Sequence, residues 1–213
     1  MFKVLIPTDF SENSMNAINY ALEFFKYEKS EFYFMHAYQH DVYNHKELLT
    51  RIVYDDIVAR VKKESEDNLN DLLKAIKKSN PNPRFTYYAI SSFNSLVDEA
   101  DLIVDSKNID VIVMGTKGAS NNSKLTFGSN TLQVLKYVQC PVLAIPENYK
   151  FSTFSSLLFT LKEEDDFHPD ALLPIGDMVK GNQVTLQVLQ LDTKKKMPKS
   201  PILAQFSEIK YHH

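Results

Sequence analysis

Val111-Ile-Val-Met-Gly-Thr-Lys-Gly118 is an apolar run closed by two glycines, and after nine further residues the chain reads Gly128-Ser-Asn-Thr131. The apolar part has the length and β-branched content of a buried strand. A helical pattern begins directly after the third glycine. The whole chain has only five glycines, and three of them stand in this stretch. Glycine costs conformational entropy unless the backbone needs unusual dihedrals or a close approach, so their clustering asks for a cause. Consecutive backbone amides in a tight turn form an anion-binding nest, and the first amides of a helix carry the positive end of its dipole. Gly115 and Gly118 are therefore expected to let the main chain approach a phosphate chain. Gly128, Ser129 and Asn130 are expected to present helix amides to it. Ser129 and Thr131 can add hydroxyl donors, and Lys117 and Lys124 charge. No Gly-Lys-Ser/Thr follows at the Walker A place. A tight loop and a helix cap without ligand is the plainer reading of the same residues, and spacing alone leaves both open.

Outward from this stretch, strand-like and helix-like segments alternate. Residues 2–6 read as a strand, Pro7-Thr-Asp-Phe-Ser11 as a turn, and Ser11 as a helix start. Met15, Ile18, Leu22 and Phe25 then recur on one helical face. Residues 31–38 read as an aromatic buried strand and 39–50 as a polar loop. Residues 47–78 read as a long helix with a break in it, ended by Asn80-Pro-Asn-Pro83. Strands over 85–90, 110–114 and 141–145 follow, with helices over 96–108 and 131–138 between them. The expected fold class is α/β: an open five-stranded parallel sheet with helices on both faces, Rossmann-like. Such sheets bind ligands at the carboxyl ends of their strands, so Pro7, Thr8 and Asp9 would share one cleft with the glycine loop. Asp9 can accept hydrogen bonds from a ribose or an adenine amine, or it can serve a turn.

Composition sets outer limits. With 213 residues, 44% hydrophobic and 24% charged, the chain can bury a core of globular type. A net charge of −3 without a basic stripe speaks against nucleic-acid partners. No apolar run approaches the length of a membrane span, and none resembles a signal peptide. The single cysteine, Cys140, rules out an intrachain disulfide and reads as a small buried hydrophobe. The expected place is the cytoplasm. His36, His40 and His45 read as ordinary surface or helix-start histidines, with no metal. Ser129 has no evident histidine or aspartate partner, so no catalytic set is legible. Glu163-Glu-Asp-Asp166 and Lys194-Lys-Lys196 read as solvated turns.

Four pieces together carry a family resemblance. Gly115-x2-Gly118-x9-Gly128-Ser129-Asn130 resembles the nucleotide-binding motif of the universal stress protein family. Val4-Leu-Ile-Pro-Thr-Asp-Phe-Ser-Glu12 is similar to its first strand and loop, Met35-His-Ala37 to the end of its second strand, and Cys140-Pro-Val-Leu-Ala-Ile-Pro146 to its final strand. The resemblance implies an ATP-binding regulatory protein of the stress response, with AMP or another adenine nucleotide left open and Mg²⁺ accompanying the phosphates. It implies that Pro7, Thr8 and Asp9 meet the adenosine, that the Ala37 backbone meets the base, and that Met114 lies near the sugar. Gly115, Gly118, Gly128, Ser129, Asn130 and Thr131 would hold the phosphates. It also implies a homodimer through residues 141–145.

The expected domains are 1–147, of this type, and 148–213, a partial second repeat that packs on the first domain, as a pseudo-dimer, or on a partner chain. Residues 154–159 align with 1–6. Thr160 then replaces Pro7, Lys162 replaces Asp9, and no second glycine loop follows. Two other classes stay open: a slow ATPase or nucleotidyl-transfer enzyme on the same fold, and a dimerisation module that binds no nucleotide.

Overall fold

The computed structural model describes residues 1–45, 51–117, 127–161, 176, 184–190 and 206–212. The chain divides into two units, Met1–Phe151 and Ser152–His213.

In the first unit the elements run β1 (Phe2–Pro7), α1 (Glu12–Phe24), β2 (Ser30–Ala37), α2 (Gln39–Tyr43), α3 (Arg51–Ser79), β3 (Phe85–Ser92), α4 (Leu96–Lys107), β4 (Val111–Gly115), α5 (Ser129–Tyr137) and β5 (Val142–Ile145). The five strands form one parallel sheet in the order β3-β2-β1-β4-β5. The chain winds outward from β1 through β2 to β3. It then crosses back to lay β4 on the other side of β1, with Val4 opposite Val111 and Leu5 opposite Ile112. The order reverses between β1 and β4, and there two successive crossovers leave the sheet toward opposite faces and open a crevice.

The central strands are apolar on both faces because both are covered. Val4, Leu5, Ile6, Phe32, Phe34, Met35, Ile112 and Val113 have no exposed surface. On one face Leu5, Tyr33, Met35, Ile112 and Met114 pack with Ala100, Ile103 and Val104 of α4 and Val134 of α5. On the other, Phe25 at the end of α1 meets Phe32 at 6.2 Å between ring centroids, and Phe32 meets Phe85 at 4.8 Å. Phe32 packs its ring against Phe25 at the end of α1, Phe34 of its own strand and Phe85 and Tyr87 of β3, so Phe32→Ala would cost about 3–5 kcal/mol.

Helix boundaries follow local chemistry. Ser11 caps α1 by accepting from Ser14 N, and Ser95 caps α4 by accepting from Asp98 N. α4 ends at Asn108, whose φ of 53° is a left-handed stop. The break expected within residues 47–78 does not occur in the described part: α3 is one helix of 29 residues. Its buried stripe is Ile57, Val61, Ser65, Leu69, Leu72 and Ile76. A serine occupies one apolar place in that stripe, which made the periodicity look interrupted. The loop expected over 39–50 likewise contains the short helix α2.

The second unit has β6 (Ser156–Leu161), β7 (Thr185–Gln190) and β8 (Glu208–His212), parallel and in the order β6-β7-β8. β6 and β7 start 29 residues apart, at 156 and 185, as β1 and β2 start 28 apart, at 2 and 30. β7 and β8 start at 185 and 208, a much shorter step than 30 to 85 in the first unit; no counterpart of the long α3 fits in it. The third strand was not expected, and the sequence gives it only the alternation Glu-Ile-Lys-Tyr-His. Lys162 and the charged runs at 163–166 and 194–196 lie outside the described residues. Among the described residues no helix is long and apolar enough to cross a membrane.

Candidate functional site

All five strands of the first sheet end on one side, and a cavity of about 970 Å³ opens there. Pro7, Thr8 and Asp9 come to it from the end of β1, Ala37 from β2, Met114 and Gly115 from β4, and Gly128, Ser129, Asn130 and Thr131 from the start of α5. The structure thus brings together every expected site residue that it describes. Gly118 and Lys124 lie outside the described residues.

At the β1 end, Thr8 N donates to the Met35 carbonyl at 2.9 Å and so prolongs the ladder past the strand. The buried Thr8 hydroxyl meets Ser14 Oγ at 3.1 Å and accepts from Phe10 N at 3.0 Å. Asp9 is exposed, and its Oδ1 accepts from Ser11 N at 3.1 Å and from Ser11 Oγ at 2.5 Å. The carboxylate therefore steadies the residue that caps α1, while standing at the cavity wall.

At the β4 end two expectations change. A Cβ on Gly115 would stand 3.1 Å from the Asn13 carbonyl oxygen and 3.3 Å from that of Lys117. A side chain there would press on backbone from the α1 start, which favours glycine for a reason independent of any phosphate. Thr131 was expected as a hydroxyl donor to a ligand. Instead it is buried, and its Oγ1 donates to the Gly115 carbonyl at 2.8 Å. With Gly128 N donating to Thr116 O at 2.6 Å, this bond clamps the start of α5 to the end of β4. Gly128 has no side chain with which to cap α5, so among the described residues no side chain caps its first-turn amides. Ser129 and Asn130 are exposed beside them.

The lining includes residues not expected in the site: His36 and His40, read from the sequence as ordinary histidines, with Gln39, Asp41 and Tyr43 around the β2 end, and Asn94, Ser95 and Leu96 after β3. A signal for the latter existed. Strand 3 is parallel to the others, so its following loop had to end at the same rim. The histidine expectation is corrected for His36. It is a β2 residue with a 12% exposed side chain, bonded through Nδ1 to Ser65 Oγ at 2.9 Å and through Nε2 to Asp41 Oδ2 at 3.2 Å. Serine, imidazole and carboxylate stand in line, yet Ser65 is only 1% exposed and also bonds Ser91 Oγ at 2.7 Å. That hydroxyl cannot reach a substrate.

Among the described residues the lining of the cavity is mainly acidic. Asp9, Asp41, Asp98 and Asp101 line it against Lys117, whose Nζ lies 3.3 Å from Glu147. Attraction for an anion must therefore come mainly from backbone amides. Away from the cavity, burial, with Asp110 nearby, pushes the Cys140 thiol up to about 11, and its Sγ lies 3.7 Å from the Ile109 carbonyl; this is an inert thiol.

The family model described as universal stress protein family matches residues 1–146. The chain is similar to universal stress protein MJ0577 of Methanocaldococcus jannaschii, 27% identical over 156 residues that cover 67% of this chain and 93% of the relative. It is also similar to universal stress protein MJ0531 of the same organism, 28% identical over 148 residues, covering 70% of this chain and 84% of the relative. The solved structure of hypothetical protein MJ0577 superposes with a TM-score of 0.55 at 21% identity, covering 68% of this chain and 96% of that one. A universal stress protein from Archaeoglobus fulgidus DSM 4304 does so with a TM-score of 0.65 at 22% identity, covering 99% of this chain and 77% of that one. These structural likenesses are likenesses of fold.

Proposed function

Since this chain belongs to the universal stress protein family, we propose that it is an ATP-binding regulatory protein of the stress response, with one nucleotide lying across the ends of β1 and β4. The observation that carries this reading is the start of α5 at the sheet's switch point, where a glycine N-cap leaves the first-turn amides without a capping side chain among the described residues, beside a cavity of about 970 Å³. A polyphosphate is the ligand such an end favours. The adenosine would lie toward Asp9, Ala37 and Met114, where the lining is part carboxylate and part apolar. AMP or another adenine nucleotide would use the same end and fewer amides.

Among the described residues four carboxylates face one paired lysine, a balance that disfavours a bare triphosphate. Mg²⁺ fits this balance, because it needs only one or two carboxylates besides phosphate oxygens and water. Among the described residues no three His, Cys, Asp or Glu side chains form a metal cage, so the ion would enter with the nucleotide. The second unit reads as a partial second repeat with Thr160 where the first has Pro7, and we assign it no nucleotide. β5 is one of the two outer strands of this sheet, with β3, and is half-buried. An outer strand offers unpaired backbone groups, and we assign to it the contact of a homodimer. The single cysteine fits a reducing cytoplasm.

Ser129→Pro tests the reading. Proline is well suited to the first helical position, and Gly128 before it already has φ −70° and ψ 160°, the extended conformation that a following proline requires. The variant deletes one first-turn amide and leaves the helix intact. Calorimetry should show ATP bound roughly 10-fold or more weakly, as for a lost hydrogen bond to a charged group, with adenosine affinity unchanged. Equal ATP affinity in the variant and the parent would remove the phosphates from α5.

A further inference from the structure

His36 lies where three elements meet. Its ring stands 4.8 Å from the ring of Phe10, the residue after Asp9. Its Nε2 faces Asp41 of α2 at 3.2 Å, and its Nδ1 faces Ser65 of α3 at 2.9 Å. A carboxylate can only accept, so Nε2 carries the proton. In the neutral ring Nδ1 then accepts from Ser65, which accepts from Ser91.

Phe10 has a φ of 60°, which a bulky residue adopts only when its surroundings hold it there. Its amide bond to Thr8 Oγ1 and its ring contact with His36 are such holds. α2 is seated by Val42, which is fully buried against Tyr38, Ile57 and Val61. Val42 fixes the depth of the helix, whereas Asp41 stands on its cavity side, 47% exposed, as do Gln39 and His40. We propose that His36 is a positioning residue which joins two walls of the cavity, the Asp9 loop through Phe10 and the α2 wall through Asp41, and so sets the shape of its adenosine end. This rests on the nucleotide reading given above.

Two substitutions separate the nitrogens. Asparagine places a polar atom the same number of bonds from Cβ as Nδ1, and glutamine the same number as Nε2. His36→Gln keeps a donor for Asp41 and loses Ser65, whereas His36→Asn does the reverse. The experiment measures adenosine and ATP affinity by calorimetry, and exchange of the Val42 amide, which donates to the Tyr38 carbonyl. His36→Asn and Asp41→Ala should each weaken adenosine about tenfold, the size of one charge-assisted bond. Their double variant should be no weaker than either, as for two residues acting through one contact. Val42 exchange should quicken in both and stay at the parental rate in His36→Gln. Ser65→Ala should lower the melting temperature and leave adenosine affinity within about twofold. Parental affinity in both His36→Asn and Asp41→Ala would overturn the proposal, as would His36→Gln behaving like His36→Asn in both readouts. If the parent binds neither adenosine nor ATP, the nucleotide reading fails, and the assignment to an adenosine end falls with it. The exchange arm then still decides whether His36 holds α2.

Discussion

Thr131→Val is the perturbation that separates two roles for one hydroxyl. Valine has nearly the shape of threonine, so the swap opens no cavity and removes only the 2.8 Å bond from Oγ1 to the Gly115 carbonyl. Thr131 is 2% exposed, so no water readily replaces the lost donor. Leaving a buried acceptor unpaired costs about 1–3 kcal/mol. For a unit of this size each kcal/mol lowers the melting temperature by about 2–4 °C, giving a fall of roughly 2–12 °C. The assay is thermal unfolding of the ligand-free chain followed by near-UV circular dichroism. Thr131→Ser, which keeps the hydroxyl, should recover most of the loss. If Thr131 instead served a ligand, as the sequence suggested, Thr131→Val would weaken ATP and leave the ligand-free melting temperature in place. That result would refute the clamp between β4 and α5.

Further expectations concern other parts of the first unit. Cys140, its thiol pushed up to about 11 by burial, should resist a thiol reagent at pH 8 in the folded chain and react at once after denaturation; fast reaction of the native protein would contradict its placement. Asn108 sits at φ 53°, so Asn108→Val should destabilise by about 1–2 kcal/mol while Asn108→Gly is neutral or stabilising, as read by urea denaturation. A homodimer through β5 should give a light-scattering mass of twice the chain, and Ala144→Pro should reduce it to one. An unchanged dimer in that variant would move the contact elsewhere.

Much of the first sheet was legible because its signals are local. Ser11 and Ser95 mark helix starts by their own hydroxyls, and Asn80-Pro-Asn-Pro83 stops a helix by backbone geometry. Parallel strands alternating with helices fix which ends the ligand loops occupy, so Pro7–Asp9 and Gly128–Thr131 could be assigned to one rim before any contact was known. What depended on partners distant in sequence was not legible. Ser65 looks like an interruption of a helical stripe until His36 and Ser91 stand beside it. Gly115 looks like a phosphate-loop glycine until the Asn13 carbonyl is found 3.1 Å from where its Cβ would be. Thr131 looks like a donor to solvent or ligand because nothing in its neighbourhood of sequence shows that Gly115 comes back to accept from it. β8 was missed because two apolar residues in five give too weak an alternation to outweigh its polar flanks.

The account turns on whether the ends of β1 and β4, with the start of α5, hold a nucleotide. The most direct measurement is a crystal structure of the chain grown with saturating ATP and Mg²⁺. It should show one nucleotide per chain, with the base beside Ala37 and Asp9 and phosphate oxygens on the amides of Ser129 and Asn130. An empty cleft under those conditions, or ordered ATP elsewhere on the chain, would contradict it.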